Sequence, residues 1–280
     1  MRAIVTGMIY GILEGLTEWL PVSSTGHLIL LRQVLPPMDG AFFALFEVLV
    51  QCGAMLAVPL LYFDRLWPVG RRTTKTAGNG AGKTRFFWRR EVLTLWGVIL
   101  IAALPAAVVG FLLGDLLERY LFRVPVVAAM LIFYGVLFLL PIRRPGAVRD
   151  FAGIAPRHAA GVGAFQVLSL VPGTSRSGAT IFGGLVCGLD RPTAAAFSFL
   201  LGVPVMAGAG VLRAARYFGG GGRLTADERL ILVAGVLSAF SVSMLVLRTL
   251  TAFVRRHSFA PFGVYRIVLG AVVLALYFRR

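Results

Sequence analysis

Long apolar stretches separated by short polar or basic segments account for most of this chain. Of its 280 residues, 58% are hydrophobic and 14% are charged, and the mean hydropathy is +0.83. A water-soluble domain has no way to bury so large an apolar share, whereas helices in a bilayer satisfy their own backbone hydrogen bonds. The pattern therefore predicts an all-α polytopic membrane protein and argues against a soluble enzyme.

Six of the stretches are apolar enough to cross a bilayer as helices. They are residues 42–63, 92–113, 124–140, 193–212, 230–253 and 262–278. The formal net charge of +16 comes mainly from arginine, which is concentrated in the segments between these spans. Lys75, Arg143 and Arg144 are among the basic residues of these segments. By the positive-inside rule these basic segments are cytoplasmic, and their partner is anionic membrane lipid rather than nucleic acid.

Two pairs of shorter apolar helices surround polar turns. Residues 4–20 pair with 23–35, and residues 159–171 pair with 175–189. A helix as short as 159–171 rises about 20 Å, which is less than a hydrocarbon core of about 30 Å. Each pair is therefore predicted to form a re-entrant hairpin, 4–35 and 159–189, that turns inside the membrane.

The two hairpins also begin two similar halves of a single membrane domain. A shift of 152 residues places Ser23 on Ser175 and Gly26 on Gly178. We expect a first repeat over 1–141 and a second over 158–280. Each half has one hairpin and three crossings, so the second copy is inserted upside down. Inverted repeats of this kind bring broken helices together near the midplane.

The first hairpin carries two acids one helical turn apart. Glu14 and Glu18 share a helix face, where like charges repel. In lipid each ionised acid costs about 2.5 kcal/mol or more unless it has a partner. The pair thus requires a cation, either a divalent metal or Arg176, and one acid could serve as a base. The alternative is an interfacial pair that reaches the lipid headgroups.

The turn of this hairpin offers hydroxyls, free backbone amides and an imidazole. Ser23, Ser24 and Thr25 stand where the second helix begins, and Ser23 and Ser24 are candidates to cap it. The free N-H groups of this helix point at whatever occupies the turn. Gly26 allows close backbone approach. His27 exchanges a proton near neutral pH, although it could also only bond a neighbouring helix.

The second hairpin turn is suited to an anion. Gly173 helps to end the incoming helix, and Ser175 and Ser177 supply hydroxyls beside open amides. Arg176 presents a planar fork that matches phosphate oxygens. Thr180 lies one helical turn later, where it either supports Arg176 or caps the helix. Glu47 and Gln51, on the third helix, remain open as either site residues or packing polar groups.

Three motifs together resemble the undecaprenyl-diphosphatase family of bacterial membranes, also called the bacitracin-resistance family. They are E-G-L-T-E at 14–18, P-V-S-S-T-G-H at 21–27 and P-G-T-S-R-S-G-A-T at 172–180. The similarity extends over nearly the whole chain and includes F-E-V-L-V-Q at 46–51 and P-F-G-V-Y-R at 261–266.

The resemblance implies a phosphatase of the bacterial inner membrane. Its substrate would be undecaprenyl diphosphate, and its product the monophosphate carrier used for peptidoglycan, with bacitracin resistance as a consequence. A divalent cation, Mg²⁺ or Ca²⁺, would assist at a site open to the extracytoplasmic side. A homodimer is left open. The rival hypothesis is a polyprenyl-phosphate transporter or flippase, since inverted repeats with charged hairpins are typical of transporters as well.

The resemblance also implies roles for individual residues. Glu14 and Glu18 would hold the metal. The catalytic residues would be Glu18, Ser24, His27 and Arg176, and substrate would be bound by Ser23, Thr25, Gly173, Ser175, Ser177 and Thr180. Either Ser24, with His27 taking its proton, or a metal-activated water would attack the terminal phosphorus.

Overall fold

The computed structural model describes residues 2–74, 83–142 and 147–279, which contain twelve helices and one two-stranded sheet. The helices of the first half are α1 (Arg2–Thr17), α2 (Ser24–Leu31), α3 (Gly40–Met55), α4 (Ala57–Leu61), α5 (Phe63–Leu66), α6 (Arg90–Leu121) and α7 (Val124–Leu139). Those of the second half are α8 (Pro156–Leu168), α9 (Arg176–Val186), α10 (Arg191–Gly219), α11 (Ala226–Val254) and α12 (Ala260–Phe278). The predicted all-α polytopic fold is confirmed.

Five segments of the described residues are long and apolar enough to cross a bilayer. They are Gly40–Leu61, which joins α3 and α4, and the helices α6, α10, α11 and α12. The sixth predicted span, 124–140, is α7, which has only 16 residues and rises about 24 Å. It is short because Pro125 stands in its first turn and Pro141 follows its end.

Two long helices extend beyond their predicted bounds. Helix α6 continues to Leu121 instead of residue 113, and α10 continues to Gly219 instead of residue 212. Charged residues on these extra turns pair between the helices. Arg216 Nη1 lies 2.8 Å from Asp115 Oδ1. Arg213 Nη2 lies 3.7 Å from Glu118 Oε2. The predicted spans end before these charged residues, whereas in the structure both helices continue and their charges pair across the interface.

The basic segment after α5 forms a β-hairpin rather than only a loop. Strand β1 (Val69–Thr74) pairs antiparallel with β2 (Lys83–Trp88), and Val69 stands opposite Trp88. Three basic residues of the predicted cytoplasmic segments lie outside the described residues. These are Lys75, Arg143 and Arg144.

Each short hairpin packs against a long helix from the other half of the chain. Helix α1 packs along α11 through Gly7, Gly11 and Gly15. A Cβ atom on Gly11 would lie 2.2 Å from the carbonyl oxygen of Gly235, so only glycine permits this approach. Helix α8 packs along α6 in the corresponding way. These contacts hold both hairpin turns between the long helices.

Candidate active site

The turns of the two hairpins touch. The hydroxyl of Ser177 donates to the backbone oxygen of Glu18 at 3.0 Å and also lies 3.2 Å from that of Leu20. Beside it, Arg176 Nη2 lies 3.0 Å from Glu18 Oε1, and each side chain is only 7% exposed. The predicted meeting of a guanidinium and a carboxylate from opposite hairpins is therefore present.

Hydrogen bonds fix the guanidinium of Arg176 in place, but one of its nitrogen atoms remains without an acceptor in the described chain. Its Nη1 donates to the carbonyl of Ser198 on α10 at 2.8 Å, while Nη2 bonds Glu18. Gly202 gives it room, because a Cβ there would lie 2.6 Å from Nη1. The Nε atom is buried and has no hydrogen-bond partner within the described parts of the chain. A buried N-H without a partner is costly unless a ligand oxygen accepts from it.

The serines that precede α2 and α9 differ in their hydrogen bonding. The Oγ of Ser175 accepts from the backbone N-H of Gly178 at 3.1 Å and so caps α9. The Oγ of Ser23 is buried and has no hydrogen-bond partner in the portion of the chain that the structure describes, so it does not cap α2. The predicted capping by Ser23 is thus wrong. Its hydroxyl is instead a second unpaired polar group in the turn region.

The two acids lie together under the first turn, where Glu14 and Glu18 are both buried. The carboxyl group of Glu14 lies close to Glu18 and Gln51. Its Oε1 has no hydrogen-bond partner among the described residues. Glu47 adds a third acid on the wall of a small neighbouring cavity that Glu14 also lines. Buried carboxylates this close need a proton or a cation between them.

These oxygen donors fit a divalent cation held by few protein ligands. Carboxylate and amide oxygens suit Mg²⁺ and Ca²⁺, and Mg²⁺ is often bound by one or two carboxylates together with substrate phosphate and water. The unpartnered Oε1 of Glu14 is a free ligand atom of this kind. A full cage of three or more acidic, histidine or cysteine ligands does not occur among the described residues.

His27 is oriented by both of its ring nitrogens. Nδ1 lies 2.8 Å from the carbonyl oxygen of Ser23, and Nε2 lies 2.6 Å from the hydroxyl of Tyr265 on α12. A carbonyl only accepts, so Nδ1 carries a proton and Nε2 is the nitrogen available as a base. Within the described residues no hydrogen bond joins His27 to Ser24. The predicted Ser24–His27 pair is therefore not preformed.

Two hydroxyls predicted to bind substrate face the protein. Ser177 and Thr180 are both 0% exposed. Thr180 Oγ1 lies 2.6 Å from the Ser198 hydroxyl and donates to the carbonyl of Arg176 at 2.8 Å. In this structure the two side chains stabilise the turn that carries Arg176. Thr25, in contrast, is partly exposed on the first turn of α2.

Gly173 acts through its backbone, where φ is +90° and a Cβ would lie 2.4 Å from the Val127 carbonyl. Its own carbonyl accepts a hydrogen bond from Arg266 Nη2 at 2.7 Å.

Sequence reasoning missed Tyr265 and Arg266 as parts of this site. Both lie in α12, and Arg266 is the one charged residue of that helix. An arginine in the middle of an apolar membrane helix is expensive and usually functional, which is the signal that could have identified it. The atoms that accept hydrogen bonds from Arg266 are backbone carbonyls, which cannot be identified from the sequence.

A larger cavity lies away from these residues. It is formed mainly by apolar side chains at the end of α7, the start of α12 and the adjacent part of α9, and it includes Arg191 and Ser258. None of the predicted site residues lines it. The chemistry-bearing groups converge at the hairpin turns instead, and we place the candidate site there.

The fold and the site together define an integral membrane protein in which a buried arginine and two buried acids meet between two helical hairpins. Residues 7–272 match the family described as bacitracin resistance protein BacA, and the chain belongs to this family.

Close relatives agree over nearly their full length. A protein of Lactococcus lactis subsp. cremoris (strain SK11), named undecaprenyl-diphosphatase, is 44% identical over 276 residues, which cover 96% of this chain and 95% of the relative. The protein of the same name from Streptococcus mutans is 42% identical, with 97% and 95% covered. Undecaprenyl-diphosphatase 1 of Oenococcus oeni is 40% identical, with 98% and 96% covered.

Proposed function

We propose that this protein is a membrane phosphatase that hydrolyses undecaprenyl diphosphate to undecaprenyl phosphate and inorganic phosphate. The observation that supports it most directly is the Arg176–Glu18 pair at the junction of the hairpins, with a buried Arg176 Nε-H left free for a ligand oxygen. The names of the relatives supply the substrate class. None of these names favours the lipid transporter.

Diphosphate binding would use groups that already lack partners. The first amides of α2, and those of α9 that Ser175 does not cap, would face the diphosphate, because helix amino ends attract phosphate. The free Arg176 Nε-H and the unpaired Ser23 hydroxyl add two directed contacts. The Nη groups of Arg176 remain on Ser198 and Glu18, so the guanidinium would not have to move when substrate arrives.

A divalent cation would be held by Glu14 and Glu18, with Gln51 beside them. Bound there, it would share the negative charge of the diphosphate and polarise the bond to be broken. Glu18 would then face two cationic groups, the metal and Arg176, so a neutral glutamine in its place would weaken both.

The hydrolytic step would displace the lipid monophosphate from the terminal phosphorus. If Ser24 attacks, its oxygen forms a bond to that phosphorus while the bond to the bridging oxygen breaks, and the serine proton moves toward His27. Water then cleaves the phosphoserine and releases inorganic phosphate. If water attacks directly, Ser24 only hydrogen bonds the substrate. Because Nε2 of His27 faces Tyr265, the Tyr265 hydroxyl must turn or relay the proton.

A placement in the membrane is proposed from the charges and the repeat. We infer that the two halves, 1–141 and 158–280, are inverted copies and that the basic segments lie in the cytoplasm. The hairpin 4–35 would then enter from the extracytoplasmic side of the bacterial inner membrane. The carrier lipid would reach the site from that leaflet.

Phosphate release by purified protein tests the function. The protein in detergent would be supplied with undecaprenyl diphosphate, and inorganic phosphate would be measured with and without EDTA and after Mg²⁺ or Ca²⁺ is restored. We expect release that stops with chelator and returns with cation. A protein that binds the lipid yet releases no phosphate under any of these conditions would contradict the proposal.

A further inference from the structure

Arg266 is fully buried and has no acidic partner among the residues that the structure describes. Its side chain is 0% exposed, and none of the ion pairs among the described residues involves it. The Tyr134 ring lies 5.5 Å from its guanidinium carbon. A buried charge is expensive unless hydrogen bonds compensate it, so the neighbours of this arginine must provide them.

Backbone carbonyls of both hairpin turns provide that compensation. Nη1 donates to Pro21 of the first turn at 3.1 Å. Nη2 lies 2.7 Å from the Gly173 oxygen and 2.9 Å from the Thr174 oxygen of the second turn. Weaker contacts from Nε and Nη2 reach the backbone of α7 at 3.3 to 3.4 Å. One guanidinium thus connects the two turns to each other and to α7.

The turns need donors of this kind because the chain reverses at these positions. Residues 18–22 and 169–174 lie outside regular helix, so their carbonyls have no regular helical partner. Water is scarce at membrane depth, and unsatisfied carbonyls are costly there. Arginine offers five N-H donors in a fixed plane, whereas lysine offers three on one atom. A lysine could keep the charge but would not reach both turns in the same geometry.

The guanidinium also lies close to the anion site. A Cβ on Gly178, in the first turn of α9, would be 3.2 Å from Arg266 Nη1. The positive charge of Arg266 therefore lies next to the amino end of α9, the helix that begins with Arg176. The hydroxyl of the preceding residue, Tyr265, forms a hydrogen bond with His27 Nε2. Two consecutive residues of α12 thus contact groups on both sides of the candidate site.

We propose that Arg266 is a positioning residue that fixes the two hairpin turns relative to each other. It also adds a positive charge next to the phosphate site that no carboxylate of the described residues pairs with. This inference rests on the proposed function for its effect on turnover. Its effect on the register of the turns does not depend on the reaction. The test therefore has two independent readouts.

The first readout is the kinetics of purified Arg266→Met and Arg266→Lys in detergent. Misplacing reacting groups by about 1 Å costs on the order of 100-fold in rate. We expect Arg266→Met to lower kcat about 100-fold with a much smaller change in KM, and Arg266→Lys to recover part of that loss. Arg213→Met is the matched control, because its guanidinium pairs with Glu118 at a partly exposed position, and it should stay near wild-type kcat.

The second readout is amide hydrogen exchange followed by mass spectrometry. In Arg266→Met we expect faster exchange in peptides that cover 20–26 and 173–178, with α11 unchanged. If wild-type protein releases no phosphate, the proposed function fails, while the exchange data still decide whether Arg266 joins the turns.

If Arg266→Met does not fold, Arg266→Lys decides by the same two measurements. In a folded variant, unchanged exchange at both turns together with wild-type kcat would overturn the proposal.

Discussion

Ser23 and Ser175 adopt nearly the same left-handed backbone conformation, one before each of the two helices that leave the hairpin turns. Their φ and ψ angles are 68° and 107° for Ser23 and 69° and 125° for Ser175. They are the only residues other than glycine with positive φ in the described chain. The 152-residue shift that relates them in sequence thus also relates their conformations. Strain of this kind costs about 1 to 3 kcal/mol and is concentrated at functional sites.

Replacing Ser23 separates this strain from the chemistry of its hydroxyl. Glycine adopts positive φ without steric cost, whereas alanine does not. We expect Ser23→Gly to be more stable than Ser23→Ala by about 1 kcal/mol. Both variants lose the unpaired hydroxyl and should lose activity to a similar extent. Thermal unfolding and phosphate release, measured side by side, would check this, and equal stabilities would argue against a strained Ser23.

Arg176→Ala should nearly abolish turnover. The substitution removes the ligand contact and leaves Glu18 as a buried carboxylate without its guanidinium. Loss of one preorganised donor typically costs about 100- to 1,000-fold in kcat, so we expect a loss at the upper end or beyond. Arg176→Lys should remain severely impaired because it lacks the Nε donor and the fork to Ser198. Arg213→Ala serves as the control, and substantial activity in Arg176→Ala would contradict the site.

Ser24→Ala distinguishes the two nucleophiles. If Ser24 forms a phosphoserine, its removal should lower kcat about 1,000-fold or more, as for other covalent catalysts. The acid-quenched wild-type enzyme should then carry a phosphoryl group on the peptide that contains Ser24, detected by mass spectrometry. An alanine variant with nearly wild-type activity would instead assign the attack to water.

Glu14→Gln should change the dependence on cation more than the fold. The unpartnered Oε1 of Glu14 is a ligand atom in the proposed metal site, and an amide binds hard cations less strongly than a carboxylate. We expect the Mg²⁺ or Ca²⁺ concentration for half-maximal activity to rise on the order of tenfold. Glu118→Gln, at a half-exposed ion pair, is the matched control. An unchanged cation requirement in Glu14→Gln would remove Glu14 from the metal site.

Gly11→Ala should destabilise the packing of α1 on α11. The new Cβ would lie 2.2 Å from the Gly235 carbonyl oxygen, so the helices must separate. Overpacking of this kind costs about 1 to 3 kcal/mol. Gly208→Ala is the control, since a Cβ there meets nothing within 4 Å and alanine favours helix. We expect a lower melting temperature for Gly11→Ala only, and equal melting temperatures would contradict the close approach.

The class of the protein and the residues of its two polar turns could be predicted from local sequence. Hydropathy over a span, the shortness of 159–171, and the placement of Glu14, Glu18 and Arg176 all depend on neighbours along the chain. The charged ends of α6 and α10 could not be predicted in this way. Arg216 on α10 pairs with Asp115 on α6, and hydropathy along either segment alone does not show that the opposite charge lies on another helix.

What the sequence by itself determined is therefore the membrane class, the two hairpins and the motifs that point to a diphosphate. Only the tertiary structure decided which groups act together. It turned Ser177 and Thr180 toward the protein, joined His27 to Tyr265, and placed Arg266 on the carbonyl of Pro21, 245 residues away along the chain. The physical reason is that helices and turns depend on residues close together in the sequence. A backbone carbonyl is present in every residue, so the sequence does not show which carbonyl accepts a hydrogen bond from a distant side chain. Packing alone selects that atom.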